Sequence, residues 1–302
     1  MANPPTLKQL KYLCAVADLK HFSQAAEACF VSQSTLSAGI SELEQSLGVT
    51  LIDRSKKQVN LTAIGREIRE RAVAILTETE DLMAVAESAH EPFSTEMRLG
   101  VIPTIAPFLL PKILKALRRR YPKFKIYIRE DQSGNLLNDL NAGELDLLLL
   151  ALPYPAEGVA SQHLFYDELL LACNKSCDFS SNKKLSIKAL KNKELLLLEE
   201  GHCLRDHVLE ACQLKNSDIK VPYYATSLNT VIQMVANDIG VTILPKMAVE
   251  AGLLRGTSIE AHAFTDKKVQ RSIGLMWRNR SPRHVEFTKV GELICECMAS
   301  AN

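Results

Sequence analysis

The chain has 302 residues, 47% hydrophobic and 24% charged, an ordinary globular composition with room for two or three cores. A net charge of +1 excludes a strongly basic, charge-driven nucleic-acid binder, so any contact with DNA has to be argued from pattern. The longest apolar runs, 145–155 and 195–198, fall short of the roughly 20 residues that span a bilayer, and residues 1–10 lack an apolar signal core, so a cytoplasmic protein with no membrane partner and mostly reduced cysteines is expected.

From Thr6, the positions Leu7, Leu10, Leu13, Cys14 and Ala17 recur at helical spacing and predict a first helix. Ser23 is placed to N-cap a short second helix ending near Cys29. After Phe30-Val31, Ser32 can cap a third helix over 33–47, with Leu36, Ile40, Leu43 and Leu47 as its buried stripe. The other face offers Gln33, Ser34, Thr35, Ser37 and Ala38, short side chains suited to phosphates and base edges in a major groove. Gly48 closes this helix. The stretches 49–52 and 59–61 then flank a basic tip, where Arg54, Lys56 and Lys57 can lie beside a phosphate backbone. Periodicity alone favours three packed helices and a solvated loop, but the order of the elements favours a reader of double-stranded DNA.

Ala25-Ala26, Val31-Ser32-Gln33-Ser34-Thr35-Leu36-Ser37, Ile40, Leu43-Glu44, Leu47-Gly48 and Arg54 together resemble the helix-turn-helix of LysR-type transcriptional regulators, over most of 6–66. Ile52-Asp53-Arg54 departs from that family's common aromatic-Glu-Arg. The resemblance implies a winged helix-turn-helix over 1–62, with Ser23, Gln33, Ser34, Thr35, Ser37, Arg54, Lys56 and Lys57 as DNA-contacting residues. It further implies a homotetramer built as a dimer of dimers, contact with RNA polymerase, and a regulator rather than an enzyme.

Residues 64–91 contain no proline and one glycine, and Ile68, Ala72, Ile75, Leu76, Leu82, Met83 and Ala86 keep a helical period. A long amphipathic helix of this kind packs on a copy of itself or on the next domain, and the family implies the former, a dimerisation helix over 63–92. Pro92-Phe93-Ser94 breaks it, placing a linker near 90–96.

Strand-like runs at 97–102, 125–130 and 145–152 alternate with helical ones at 108–120 and 136–142. The alternation resumes at 169–173, 195–198, 228–237, 241–244 and 273–277, which predicts an α/β regulatory region of two small subdomains with a cleft. The family implies the same, an effector domain over 93–302 resembling periplasmic binding proteins, with subdomains 97–165 plus 269–302 and 166–268. Ile102-Pro103-Thr104 lies at the C-terminal end of a strand, where ligands of open α/β sheets bind.

The chemical signal is Glu199-Glu200-Gly201-His202-Cys203-Leu204-Arg205-Asp206 with Cys212. Gly201 ends a strand and a helix begins near Leu204, so Cys203 sits at the positive end of that helix beside His202 and Arg205, conditions that favour a thiolate. Glu199 and Glu200 oppose it. Nine residues of helix separate the two sulfurs by about 13 Å on opposite faces, whereas a disulfide needs Cα atoms within about 7 Å; a bond between them requires the helix to unwind. Two small buried hydrophobes remain the simplest reading of any two free cysteines.

The segment 201–206 with Cys212, Pro103-Thr104, Ala225-Thr226-Ser227-Leu228 and Ile273-Gly274-Leu275 resembles the peroxide-sensing branch of the LysR-type regulators. That resemblance implies hydrogen peroxide as the signal, Cys203 as the peroxidatic thiol, Cys212 as the resolving one, and cellular thiol reductants to restore them, in an activator of antioxidant genes. It surrounds Cys203 with Thr104, Ser133, His202, Arg205, Asp206 and Arg271. Ser133 stands where threonine is usual, and His207 where glutamine is. No cofactor or metal is expected: Cys14 and Cys29 suit the DNA-binding core, and Cys173-x-x-x-Cys177 and Cys295-x-Cys297 lack companion ligands for zinc. A metabolite-gated regulator with inert cysteines and a thiol peroxidase are the alternatives.

Overall fold

The computed structural model describes residues 4–53, 59–88, 93, 95–177, 184–190, 193–214, 225–265 and 269–299. The chain forms two compact units, residues 1–89 with 141–143, and the remainder.

In the first unit, α1 (Leu7–Leu19) opens on a capping box: the Gln9 amide donates to the Thr6 side chain and the Gln9 side chain accepts from the Thr6 amide. It buries Leu10, Tyr12, Leu13 and Val16. The expected stripe is therefore rotated, with Leu7 45% exposed and Cys14 and Ala17 half-buried, because Tyr12 and Val16 carry more apolar surface inward. Lys20 takes a left-handed conformation, φ 50°, and His21 then caps α2 (Phe22–Ala28). The helix thus starts two residues earlier than expected, and Ser23 is a half-buried first-turn residue 3.4 Å from His21 Nδ1 rather than the cap.

Helix α3 (Gln33–Leu47) has the expected bounds: Ser32 Oγ accepts from the Thr35 amide, and Gly48 ends it at φ 68°, a left-handed turn that glycine adopts without strain. Leu36, Gly39, Ile40 and Leu43 face the core. Gly39 permits a close crossing, since a Cβ there would lie 2.8 Å from the Tyr12 ring. The strands β1 (Ile52–Asp53) and β2 (Asn60–Leu61) pair antiparallel as the base of a hairpin, shorter than expected. Helix α4 (Ala63–Ser88) continues for 26 residues and leaves Ile75, Leu82, Met83 and Val85 exposed. It is the longest of the described helices, and none is long and apolar enough to cross a membrane.

The second unit begins with β3 (Met97–Val101), α5 (Ala106–Arg120), β4 (Ile126–Glu130), α6 (Ser133–Asn141) and β5 (Leu147–Leu152), with β3 parallel to both β4 and β5. Then β6 (Val159–Asn174) runs for 16 residues, followed by the short strands β7 (Lys184–Leu185) and β8 (Leu195–Leu196) and by α7 (Cys203–Ala211). After these come α8 (Leu228–Ala236), β9 (Val241–Pro245), α9 (Lys246–Glu250), β10 (Ile259–Phe264), β11 (Gln270–Arg278) and α10 (His284–Ala299). The sheet path is β4-β3-β5-β11-β6-β10-β7, with β9 also on β6 and β8 on β9.

Strand β6 joins two cores. Val159–Glu168 pairs with β11, while Leu169–Asn174 pairs with β9 and β10. One core gathers Leu99, Leu109, Ile113, Leu149, Ile273 and Phe287; the other gathers Leu171, Leu196, Val208, Val231, Ile243 and Ile259.

Candidate functional site

In the first unit Gln33, Ser34 and Thr35 are exposed at the start of α3, and Ser37 is half-buried. Ser32 Oγ, having capped the helix, also lies 2.9 Å from Ser34 Oγ and 2.8 Å from Thr35 Oγ1, so the hydroxyls form a prepared polar tip on the first turn. Arg54, Lys56 and Lys57 lie outside the described residues. Glu44, on the inner side of α3, entered the sequence reading only as part of the family motif and without a role; its Oε1 accepts from the Leu51 amide at 2.7 Å and the Ile52 amide at 3.1 Å. It ties the base of the hairpin to the helix. Glu44→Ala is expected to lower stability by roughly 1.5–3 kcal/mol, the range for hydrogen bonds to a charged group, read in denaturant unfolding of the full chain; Glu44→Gln keeps one acceptor and should lose less.

The thiol site stands at the start of α7, which His202 caps through its backbone and which ends on Cys212. Gly201 holds φ 94°, and a Cβ there would come within 2.6 Å of Gln132 Oε1, so glycine alone lets the chain turn into the helix here. Cys203 is 5% exposed and joins the core containing β3 and β5, whereas Cys212, 1% exposed, belongs to the core containing β9 and α8. The two sulfurs begin in different hydrophobic interiors.

Burial pushes the Cys203 thiol up, but the His207 side chain, the Ser133 hydroxyl and the Arg271 charge outweigh it, and its pKa falls below the ordinary thiol value. His207 is the group that sequence reasoning underrated. It lies one helical turn on from Cys203, where positions i and i+4 share a face, and its Nδ1 donates to the Cys203 carbonyl at 2.6 Å. Burial pulls the His207 pKa down, but the adjacent Cys203 pulls it further up. The Ser133 hydroxyl is buried, has no other hydrogen-bond partner among the described residues, and favours the Cys203 thiolate.

Arg271 is 1% exposed and fully engaged: Nε donates to Asp167 Oδ2 at 3.0 Å, Nη1 to Thr104 Oγ1 at 2.8 Å and Nη2 to the Thr104 carbonyl at 3.1 Å. Asp167 also accepts from the Met247 amide at 3.1 Å. This carboxylate, buried in β6, had no local signal beyond a charge within an apolar strand. Thr104, Ser133, Arg271 and Cys203 are thus brought together.

The remaining expected residues divide. Arg205 is buried, but its guanidinium donates to the Leu198 carbonyl at 3.3 Å, and it is not among the leading influences on the thiol. Two positions along a helix face different directions, which is why proximity in sequence misled. His202 is buried with Nε2 unpartnered, and burial keeps its pKa below the ordinary imidazole value against the pull of Glu199, so it offers a neutral ring rather than a cation. Asp206 is exposed and lies near Tyr154; burial, the Cys203 charge and the Asp206 charge together raise the Tyr154 phenol pKa. Tyr154, on the loop beyond β5, is a further neighbour that only strand-end topology could have suggested.

Comparison with known proteins places these features. The family model "Bacterial regulatory helix-turn-helix protein, lysR family" matches residues 7–66, and "LysR substrate binding domain" matches 90–294. The chain is 36% identical over 294 residues to the HTH-type transcriptional regulator EstR of Acinetobacter baylyi, covering 97% of each chain. It is 38% identical to a probable hydrogen peroxide-inducible genes activator of Streptomyces viridosporus, covering 97% of this chain and 95% of that one. A full-length OxyR variant from Pseudomonas aeruginosa superposes with a TM-score of 0.81 at 32% identity, covering 97% of this chain and 95% of that one. The chain therefore belongs to the LysR family of helix-turn-helix transcriptional regulators, with OxyR among its relatives in both sequence and structure.

Proposed function

We propose that this regulator senses hydrogen peroxide through Cys203 and Cys212 and relays the event to the DNA-reading helix α3. The observation that carries the reading is the activated thiol: burial drives the pKa of Cys14 up to about 11 and of Cys173 up to about 12, and raises Cys29, Cys295 and Cys297, while the neighbours of Cys203 lower its pKa despite its burial. The thiolate attacks one peroxide oxygen, the O–O bond breaks, and hydroxide leaves; sulfur is oxidised to sulfenic acid and the peroxide oxygens are reduced. The Cys212 thiol then attacks the Cys203 sulfur, forming S–S as water leaves. Cellular thiols reverse the bond by exchange.

In this reading Thr104 and Ser133 hydrogen-bond the peroxide, Arg271 and His207 hold the negative charge, and His202 and Asp206 border the site. The apolar positions exposed on α4 support self-association, the first step toward a homotetramer on double-stranded DNA, and the tetramer contacts RNA polymerase. Ser23, Gln33, Ser34, Thr35, Ser37, Arg54, Lys56 and Lys57 remain the proposed DNA contacts.

Peptide mapping without reductant, after a stoichiometric pulse of peroxide, tests the chemistry. A Cys203 to Cys212 cross-link is expected in the parent chain and none in Cys203→Ser. Unmodified thiols throughout would leave a regulator gated by a small metabolite.

A further inference from the structure

The peroxide step, as written, expels hydroxide into a site closed to bulk water, with Cys203 only 5% exposed. Hydroxide is a poor leaving group there, and a proton supplied nearby converts it to water. The ionisable ring on the Cys203 face of α7 is His207, one helical turn on and itself 9% exposed, whose Nδ1 sits 2.6 Å from the Cys203 carbonyl. A carbonyl can only accept, so Nδ1 keeps its proton and the proton that titrates is the one on Nε2.

We propose that His207 is the proton source of the peroxide step: as Cys203 sulfur attacks, the imidazolium gives its proton to the departing hydroxide. The balance is thiolate, imidazolium and H2O2 going to sulfenic acid, neutral imidazole and water. The inference rests on the peroxide reading of Cys203 and deepens it.

The reaction itself supplies the driving force. The thiolate is what holds His207 protonated, and oxidation to sulfenic acid removes that negative charge at the moment the proton is needed. Among the described residues, the charged groups that act on this ring are Cys203 from its own helix and Arg271 from β11, whose positive charge opposes protonation and favours release. Tyr154 and Ser133 face the same sulfur from the loop after β5 and from α6.

Two electrophiles separate proton donation from plain thiolate stabilisation. Iodoacetamide needs only the thiolate, because iodide leaves without a proton; peroxide needs both. The rates of both reactions are measured on full-length Cys212→Ser protein, with and without His207→Gln, from pH 5.5 to 8.5, and His207→Asn serves as a second variant. The expected result is a peroxide rate lowered on the order of 100-fold in the glutamine variant, with alkylation lowered no more than the loss of thiolate explains. In the parent, the ratio of peroxide to alkylation rates falls as pH rises and His207 loses its proton; in the variants it is flat. Equal losses for both electrophiles, or unchanged rates, overturn proton donation while leaving the peroxide reading intact. Parent Cys203 that alkylates normally but ignores peroxide overturns both.

Discussion

Replacing Arg271 with leucine is expected to destabilise the regulatory unit by about 3–5 kcal/mol, the cost of leaving a buried charge without its partner. Asp167, 4% exposed, would keep only the Met247 amide, and both Thr104 acceptors would lose their donors. For a unit of about 200 residues this corresponds to a fall of roughly 6–20 °C in Tm, measured by calorimetry of the reduced protein. Asp167→Leu added to the same chain should restore much of the loss, because the cost lies in the orphaned carboxylate and not in missing attraction. A single variant within about 1 kcal/mol of the parent would contradict the burial argument. The same change also removes one of the charges that favour the Cys203 thiolate. Its pKa should therefore rise, and at neutral pH alkylation of Cys203 should slow, recovering as the solution is made more alkaline.

The second large effect belongs to Cys212→Ser. Peroxide should then stall at the sulfenic acid, trapped by dimedone, with α7 still helical. In the parent the disulfide must draw together Cys203 and Cys212, which begin about 13 Å apart along the helix and need Cα atoms within about 7 Å. Amide exchange across 204–211 should accelerate on the order of 100-fold in the oxidised parent, as expected if an element held by about 3 kcal/mol is lost, and stay at its reduced rate in the variant. Equal exchange in the two oxidised proteins would mean that the helix need not open. The transcriptional response should vanish with the remodelling, which a peroxide-dependent reporter reads directly.

Local chemistry was legible. Ser32 and Gly48 bracket α3 because a cap and a left-handed exit each need one residue type at one place, and Gly201 marks the entry to α7 for the same reason. The start of α2 was misplaced because His21 caps through its backbone and leaves no side-chain signature. The early half of β6 was missed because its alternation of half-buried and exposed residues, including Gln162 and His163, hides a strand that becomes apolar only from Leu169 onward. Neither β10 nor α10 was read at all. In the site, Ser133 and Arg271 came from resemblance and Thr104 from resemblance and its strand-end position, and only the fold shows that Asp167 binds Arg271 across 104 positions of sequence. His207 could have been chosen from helical periodicity, which places it on the Cys203 face where Arg205 is not.

Strand β6 has a mechanical consequence. Because Glu168 ends the pairing with β11 and Leu169 begins the pairing with β9, one unbroken extended backbone passes through both halves of the regulatory unit, like an axle with a wheel fixed at each end. Parting the halves as jaws would break ladder bonds on both sides of that axle. Melting one nine-residue helix leaves every one of those bonds intact. On the proposed reading, a sensor built this way would answer its signal by refolding a rim and keeping its shaft.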